Sequence, residues 1–429
     1  MSKHPAKRNP WAWVPSLYFA QGLPYVIVMT VSVIMYKRLG ISNTDIALYT
    51  SWLYLPWVIK PLWSPVVELF KTKRYWIVLL QLVVGASLAS VALTIPVAGF
   101  FQWTLAVFWL MAFSSATHDI AADGFYMLSL EPHQQAAYVG VRSTFYRIAM
   151  IAGQGLLVML AGQLETRTGG DIPLAWSLTF GVVAALFILF FIYHKFVLPY
   201  PSADVTATRS SSDTALKDFF RVFVLFFKKK NIVITLAFLL LYRFAEAQLV
   251  KLASPFMLDP IDKGGLGLST TDVGFVYGTV GIVALTLGGL LGGYAVSRQG
   301  FRFWLLWMVL AINVPDAVYV YLSYMQPADL FVINAGVALE QFGYGFGFTA
   351  YLMYMLYVSR GENATAHYAI CTGIMALGMM IPGMFSGWIE EMIGYQHFFL
   401  WVCLATIPSF VVALLIKVEP EFGKKSESE

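Results

Sequence analysis

Long runs of apolar residues follow one another along the whole chain, each interrupted by a short polar or charged stretch. A bilayer core about 30 Å thick requires roughly 20 predominantly apolar residues from a helix that crosses it. Runs of that length recur twelve times, so the pattern predicts twelve membrane-spanning helices, which we number in chain order. Their approximate ranges are 11–36, 43–69, 75–98, 103–130, 137–163, 173–194, 231–257, 270–297, 302–323, 328–358, 363–392 and 396–416.

Composition supports this interpretation. The chain of 429 residues is 59% hydrophobic and 12% charged, whereas globular domains are roughly 45–50% apolar and about 25% charged. These values exclude a soluble domain and predict an all-α polytopic membrane protein. The 2 cysteines, Cys371 and Cys403, lie in apolar segments and suggest neither a disulfide framework nor a zinc site. There is no GxxxxGK[ST] loop and no catalytic triad, so we expect no cofactor and no internal ATPase, and any energy-requiring activity would have to draw on an ion gradient.

The distribution of lysine and arginine predicts the orientation in the membrane. Cytoplasmic loops carry an excess of these residues. If both termini are cytoplasmic, nineteen of the 28 fall on that side, four on the opposite side and five within predicted helices. We therefore expect both termini in the cytoplasm, with the N-terminal tail retained, and we interpret the net charge of +4 as a topology signal that requires no nucleic-acid partner. The five within helices are Lys60, Arg142, Arg147, Arg243 and Lys251.

The longest polar stretch, residues 195–230, divides the chain. Its second half alternates charged and aromatic residues at roughly helical spacing, which predicts an amphipathic helix on the cytoplasmic leaflet. We expect a six-helix half at 1–194, the linker at 195–230 and a second six-helix half at 231–429.

Two pairs of short motifs relate the two halves. Gly40 to Asp45, before helix 2, resembles Gly267 to Asp272, before helix 8, and an Arg-aromatic-Trp triplet recurs at Arg74 and Arg302. The offsets are 227 and 228 residues. The serine of each first motif can cap the helix that follows. Two landmarks at almost one offset predict pseudo-symmetric halves, as in transporters built from repeats.

Helix 4 carries the densest group of ionisable residues. A charged side chain within a span costs roughly 2.5–3.5 kcal/mol on insertion scales, so it usually faces a cavity or a partner. Asp119 and Asp123 are four residues apart and share one helix face. Two carboxylates this close disfavour double ionisation, which suits a proton carrier. Alternatively they neutralise Arg142 or Arg147 of helix 5 and lock the packing, or they contact substrate.

Helices 7 and 10 carry further candidates. Arg243 and Glu246 have i,i+3 spacing, so they can form an intrahelical ion pair. The alternative is that one of them points into a central cavity and binds a polar or anionic substrate. Glu340, followed by Gln341, lies 221 residues after Asp119 in an otherwise apolar run and has no local basic partner. We consider Glu340 the best single candidate for a functional carboxylate. Asp316, which follows Pro315 in helix 9, is polar but unspecific.

Several segments resemble the major facilitator superfamily, and within it the AmpG group of muropeptide permeases and the related acetyl-CoA transporters. The helix 4 motif is the most specific, because the family pattern reads approximately QDIxxD. His118 stands where the family usually has Gln, Glu68 where Asp commonly ends helix 2, and Glu246 where Asp is typical. The segments are Gln21-Gly-Leu-Pro24, Lys60-Pro-Leu-Trp-Ser-Pro65, Ala116 to Gly124, Leu241-Tyr-Arg-Phe-Ala-Glu246 and Glu340.

The resemblance implies a major facilitator fold that imports N-acetylglucosamine-anhydro-N-acetylmuramyl saccharides and peptides by proton symport. It implies a multi-pass protein of the bacterial inner membrane that works by alternating access in cell-wall recycling. We expect a monomer whose partners are an amino-sugar or glycopeptide substrate, protons and membrane lipids. The assignments are Asp119, Asp123 and Glu340 to coupling or gating, Gln21, His118, Arg243, Glu246 and Gln341 to the substrate cavity, and Arg142, Arg147 and Lys60 to helix packing or ion pairing.

Two other classes of function stay open. A related carrier would transport a siderophore, another saccharide or acetyl-CoA, but a phosphate-rich ligand requires more basic cavity residues than the spans provide. A membrane enzyme would use His118 and Asp119 as a dyad, or the protein would be a sensor. Adjacent residues of one helix diverge around its axis, so they make a poor dyad, and we expect no enzyme.

Overall fold

The computed structural model describes residues 8–202, 204, 221–361 and 363–424, and within these ranges the secondary structure is helical, without β-strands. The predicted all-helical architecture is therefore confirmed. Residues 205–220, which include much of the predicted amphipathic helix, lie outside the described ranges, whereas residues 221–227 form a helical segment.

Twelve helices, α1 to α12, follow the predicted numbering. Nine stretches of the described residues are long and apolar enough to cross a membrane, and one of them, Ala364–Leu415, holds two helices; α2 and α10, which are not among the nine, complete the twelve. The division is at Gly394, whose φ of 74° and ψ of 162° interrupt the helical backbone. The helices are α1 Pro10–Arg38, α2 Asn43–Trp52 with Leu55–Leu69, α3 Lys73–Thr94, α4 Phe100–Ser129, α5 Pro132–Met150 continued to Arg167, α6 Ile172–Val197, α7 Ile232–Leu258, α8 Thr270–Gln299, α9 Phe301–Met325, α10 Leu330–Ser359, α11 364–394 and α12 395–415.

Helices α7 and α9 are discontinuous, which the apolar pattern does not predict. Helix α7 consists of Ile232–Leu241 and Phe244–Leu258, with Arg243 at the junction in a non-helical conformation. Helix α9 changes to a 3₁₀ turn at Val314–Asp316, where Pro315 removes a backbone donor. Irregular backbone at membrane depth is tolerated where it is buried in protein or lines a cavity. Both interruptions lie beside buried acidic residues.

The helices group into two structural units. The first unit contains Met1–Met35 and Ile59–Phe219, and the second contains Tyr36–Val58 and Phe220–Glu429. The turn between α1 and α2 and the first half of α2 therefore group with the second unit. The predicted boundaries of the two six-helix halves rest on sequence repeats and stay a prediction.

Glycines bring α8 and α10 of the second unit close together. A β-carbon on Gly288 would meet the backbone of Phe342, and one on Gly345 would meet the backbone of Leu285. Small residues let helix backbones approach closely in membranes, where packing drives association. Helix α10 is thereby held firmly against its neighbour, which fixes the position of Glu340.

Candidate functional site

Asp119 of α4 lies between two donors in the first unit. The Gln21 amide of α1 donates a hydrogen bond to one carboxylate oxygen, and the Lys60 ammonium of α2 donates to the other. Lys60 and Asp119 form an ion pair whose side chains are 25% and 23% exposed. The structure thus brings together a residue predicted for the cavity, one for ion pairing and one for coupling.

Asp123 lies one helical turn beyond Asp119 and has its own base. The Arg142 guanidinium of α5 donates to Asp123 Oδ1 over 2.8 Å, and the Tyr18 hydroxyl donates to the same oxygen over 3.3 Å. The guanidinium also lies 4.5 Å from the centre of the Tyr18 ring and 5.1 Å from that of Tyr126. Of the two predicted arginine partners, Arg142 makes the pair, while Arg147 lies half-buried on the same helix.

His118 belongs to a buried chain of hydrogen bonds. Its Nε2 is 3.1 Å from Gln81 Nε2, Gln81 Oε1 is 2.9 Å from His194 Nδ1, and His194 Nε2 is 2.9 Å from Ser16 Oγ. This chain of hydrogen bonds joins α4, α3, α6 and α1, and the side chains of His118, Gln81 and His194 are buried. The environment favours a packing role for His118, and its assignment to a substrate cavity stays a prediction. Gln81 and His194 were not predicted to take part in a site. Their position as isolated polar residues in apolar helices is the sequence signal that could have identified them.

Glu340 of α10 is buried in the second unit. The neighbouring Gln341 amide donates to both Glu340 oxygens, over 3.2 and 3.0 Å, and the Tyr319 hydroxyl of α9 donates to Oε2 over 3.5 Å. These partners are neutral donors. Glu340 therefore differs from Asp119 and Asp123, each of which contacts a base.

Glu246 and Asp316 join Glu340 in one acidic cluster. One oxygen of each carboxylate lies within 4.8 Å of the other two, and the residues are 2%, 1% and 1% exposed. Glu246 is in the first turn after the α7 interruption, and Asp316 is in the 3₁₀ turn of α9. Asp316 was considered unspecific in the sequence analysis, because the sequence of one helix does not show which other helices lie beside it.

The ion pair between Arg243 and Glu246, one of the two alternatives for these residues, is not formed among the described residues. Both Glu246 oxygens lack a hydrogen-bond partner there. The Arg243 side chain donates to the Tyr344 hydroxyl, and its guanidinium lies 4.7 Å from the centre of the Phe348 ring. The helical interruption at Arg243 removes the regular i,i+3 geometry on which that prediction depended. Arg243 therefore stacks on aromatic side chains of α10.

A polar network also ties residues 36–58 to the rest of the second unit. Lys37 pairs with Asp259 over 2.6 Å, and the Asn43 amide donates to Glu390 over 2.7 Å. The Tyr395 hydroxyl completes the network by donating to Asp259 over 2.6 Å. None of these five residues was predicted to take part in a site.

Comparisons with known proteins agree with this architecture. A family model described as Major Facilitator Superfamily matches residues 16–367. The chain belongs to this superfamily. It is therefore a membrane transporter with a small-molecule substrate, and the expectation that it is not an enzyme agrees with its relatives and structural neighbours, which are transporters.

A curated relative bears out the resemblance to the AmpG group. The Anhydromuropeptide permease of Escherichia coli (strain K12) is 25% identical over 428 residues, which cover 96% of this chain and 80% of the relative. Among solved structures, the nucleoside transporter NupG has a TM-score of 0.68 at 17% identity, covering 95% of this chain and 98% of that chain. A D-xylose-proton symporter has a TM-score of 0.71 at 13% identity, covering 97% and 99%. These structures support the fold.

Proposed function

We propose that this protein imports anhydro-muropeptides or related N-acetylated amino sugars across a bacterial cytoplasmic membrane by proton symport. The observation that carries the proposal is similarity over 96% of the chain to a permease named for that substrate. The arrangement of lysine and arginine supports cytoplasmic termini. Transport proceeds by alternating access, as expected for two repeated halves.

Asp119 and Asp123 are the proposed coupling residues. Asp119 contacts Lys60, and Asp123 contacts Arg142, so protonation of either acid weakens an ion pair between two helices of the first unit. A proton would thereby change helix contacts as well as charge, which is what coupling requires. Glu340 is proposed to gate or couple from the second unit.

The proposed substrate contacts are polar residues close to these acids. The Gln21 amide donates to Asp119, and the Gln341 amide donates to Glu340. Each amide can therefore release this carboxylate and form a hydrogen bond with a sugar hydroxyl or N-acetyl group instead. Arg243 and Glu246 add one charge of each sign. Lys60 and Arg142 are engaged by aspartates, which disfavours a phosphate-rich ligand such as acetyl-CoA.

Reconstituted uptake tests the proposal. Proteoliposomes containing the full chain receive an imposed proton gradient, and accumulation of anhydro-muropeptide is followed with time. We expect accumulation that collapses with a protonophore. Flux independent of the gradient would refute symport, and absence of muropeptide uptake by protein that transports a siderophore or another saccharide would refute the substrate.

Amide variants separate coupling from binding. We expect Asp119→Asn and Asp123→Asn to lose gradient-driven accumulation by about tenfold or more, because an amide cannot take up and release a proton as a carboxylate does, while exchange of labelled for unlabelled substrate persists. Asp45→Asn is the matched control, because Asp45 lies in the first turn of α2 beside its capping serine. An unimpaired Glu340→Gln protein would remove the role assigned to Glu340.

A further inference from the structure

Three buried acids converge from three helices of the second unit. Glu246, Asp316 and Glu340 come from α7, α9 and α10, and one oxygen of each lies within 4.8 Å of the others. Two of the three adjoin a helical interruption, at Arg243 and at Val314–Asp316. Interrupted helices at membrane depth commonly form ion sites.

Four carboxylate oxygens in this cluster have no hydrogen-bond partner among the described residues. They are both oxygens of Glu246 and both oxygens of Asp316. A buried polar group without a partner is costly, and a bound ion is one of the few explanations for such a group in a native protein. The orphan oxygens are a second observation, independent of the proximity of the acids.

Within the described part of the second unit, the bases do not neutralise the cluster through direct ion pairs. Arg243 donates to Tyr344, and the Lys251 ammonium donates to Thr50 Oγ1 over 2.9 Å and lies 5.4 Å from the centre of the Tyr54 ring. Three adjacent buried carboxylates cannot all remain ionised without compensating positive charge. A bound cation provides one or two of the positive charges that are needed, and a proton on a remaining carboxyl group provides the rest.

The spacing also allows one ion to contact all three acids. Because the three oxygens are no more than 4.8 Å apart, some point lies within about 2.8 Å of all of them. Oxygen ligands bind Ca²⁺ at about 2.3–2.6 Å and Mg²⁺ at about 2.0–2.1 Å in stricter geometry. One ion can therefore contact all three oxygens, and Ca²⁺, or Na⁺ with its similar radius, tolerates an irregular site better than Mg²⁺, which demands near-ideal octahedral geometry.

We propose that Glu246, Asp316 and Glu340 bind a small inorganic cation of the size of Na⁺ or Ca²⁺. Their carboxylate oxygens are the hard ligands that such ions prefer. This goes beyond the proposed function, which uses the proton alone, gives Glu340 a gating or coupling role and places Glu246 among the substrate contacts, and assigns no inorganic cation to either residue. Cation binding holds α7, α9 and α10 together whichever solute is transported.

Thermal unfolding of the purified full chain tests the proposal without substrate. The protein is treated with EGTA and held in choline chloride, and NaCl or CaCl₂ then replaces choline at constant ionic strength. A ligand that binds the native state stabilises it by mass action. We expect Na⁺ or Ca²⁺ to raise the Tm by about 2–4 °C, and the more effective ion identifies the native ligand.

Isosteric variants locate the effect. Asp316→Asn and Glu246→Gln should lose the cation-dependent rise in Tm. Glu165→Gln should keep it, because Glu165 is a buried acid of the first unit that accepts a hydrogen bond from Trp176. Equal Tm values in choline, Na⁺ and Ca²⁺ would overturn the proposal, as would an undiminished rise in both cluster variants.

Direct binding to the wild-type protein provides a measurement that does not depend on whether the variants fold. Equilibrium dialysis of the wild-type protein with ²²Na⁺ or ⁴⁵Ca²⁺ should give one saturable site, and the absence of saturable binding of both ions would overturn the proposal. A bound cation without muropeptide uptake would refute only the proposed function. Proton-driven muropeptide uptake without a cation effect would refute only this inference.

Discussion

The acidic residues predicted for coupling in the first unit and the acidic cluster of the second have different surroundings. Asp119 and Asp123 each contact a base, Lys60 or Arg142, and each also accepts a hydrogen bond from a neutral donor. In the second unit, the three clustered acids lie beside one another, and the nearby bases contact other groups. The first arrangement balances charge within the protein, whereas the second requires protons or a cation from outside.

This difference assigns separate tasks to the two clusters. A balanced pair responds to a proton by releasing its base, which changes the contacts between helices. An unbalanced cluster responds to a cation by losing part of its excess negative charge, which holds its helices together. Four experiments test whether the clusters differ in this way, beginning with the largest expected effect.

The first experiment breaks the balanced pair. Lys60→Met leaves the Asp119 carboxylate without its base, and we expect the unfolding free energy to fall by about 2–3 kcal/mol. This is less than for a fully buried pair, because both side chains are about a quarter exposed. The double variant Lys60→Met with Asp119→Asn should recover more than half of this loss. Unfolding curves measure the coupling, and additive single effects would contradict a balanced pair.

The second experiment applies the same chemical change to the unbalanced cluster. In choline buffer, Asp316→Asn should raise the unfolding free energy by about 1–3 kcal/mol, because it removes an acid whose buried oxygens have no partner among the described residues. Asp119→Asn, the matched substitution in the first unit, should lower it. Loss of stability in both variants would show that the two clusters do not differ.

The third experiment concerns Arg243, the base next to the acidic cluster. Arg243→Lys keeps the charge but loses the planar group that lies over Phe348. We expect the initial uptake rate to fall about tenfold, equivalent to about 1.4 kcal/mol. Arg360→Lys is the control, because Arg360 is half exposed and pairs with Glu419 over 3.0 Å; an equal fall in both variants would remove the special role of Arg243.

The smallest effect is expected at the two repeated capping motifs, whose geometry is alike. Ser42 accepts a hydrogen bond from the Asp45 amide over 3.0 Å, and Ser269 accepts one from the Asp272 amide over 3.1 Å. We expect Ser42→Ala and Ser269→Ala each to cost about 1 kcal/mol of unfolding free energy. Unequal losses would show that the repeated caps have diverged in their energetic role.

Much of the fold was accessible from the sequence. Twelve apolar runs predict the twelve helices because a bilayer demands apolar length, and the Ser42 and Ser269 caps follow from local hydrogen bonding. The interruptions of α7 and α9 were not predicted. Proline at 315 was a visible signal, but a break at Arg243 depends on the helices packed against it.

Side-chain partners were predicted less well than helices. One alternative for helix 4 was that Asp119 or Asp123 neutralises Arg142 or Arg147, and Arg142 pairs with Asp123. One alternative for Arg243 and Glu246 was an i,i+3 ion pair, yet tertiary packing offers Arg243 aromatic rings and leaves Glu246 beside two other acids. Local spacing predicts contacts only where the helix is regular and no neighbour offers a better partner.

The sequence by itself determined that this is an all-helical membrane protein, because the length and spacing of apolar runs can be read directly along the chain, and it predicted a transporter with two related halves. Only the tertiary structure decided which acids are paired with bases and which are gathered without them. Asp119 and Glu340 look equivalent in sequence, since each is an acid in the fourth helix of its half. Neighbouring helices give one a lysine and the other two more carboxylates, because the environment of a buried charge is set by residues distant in the chain.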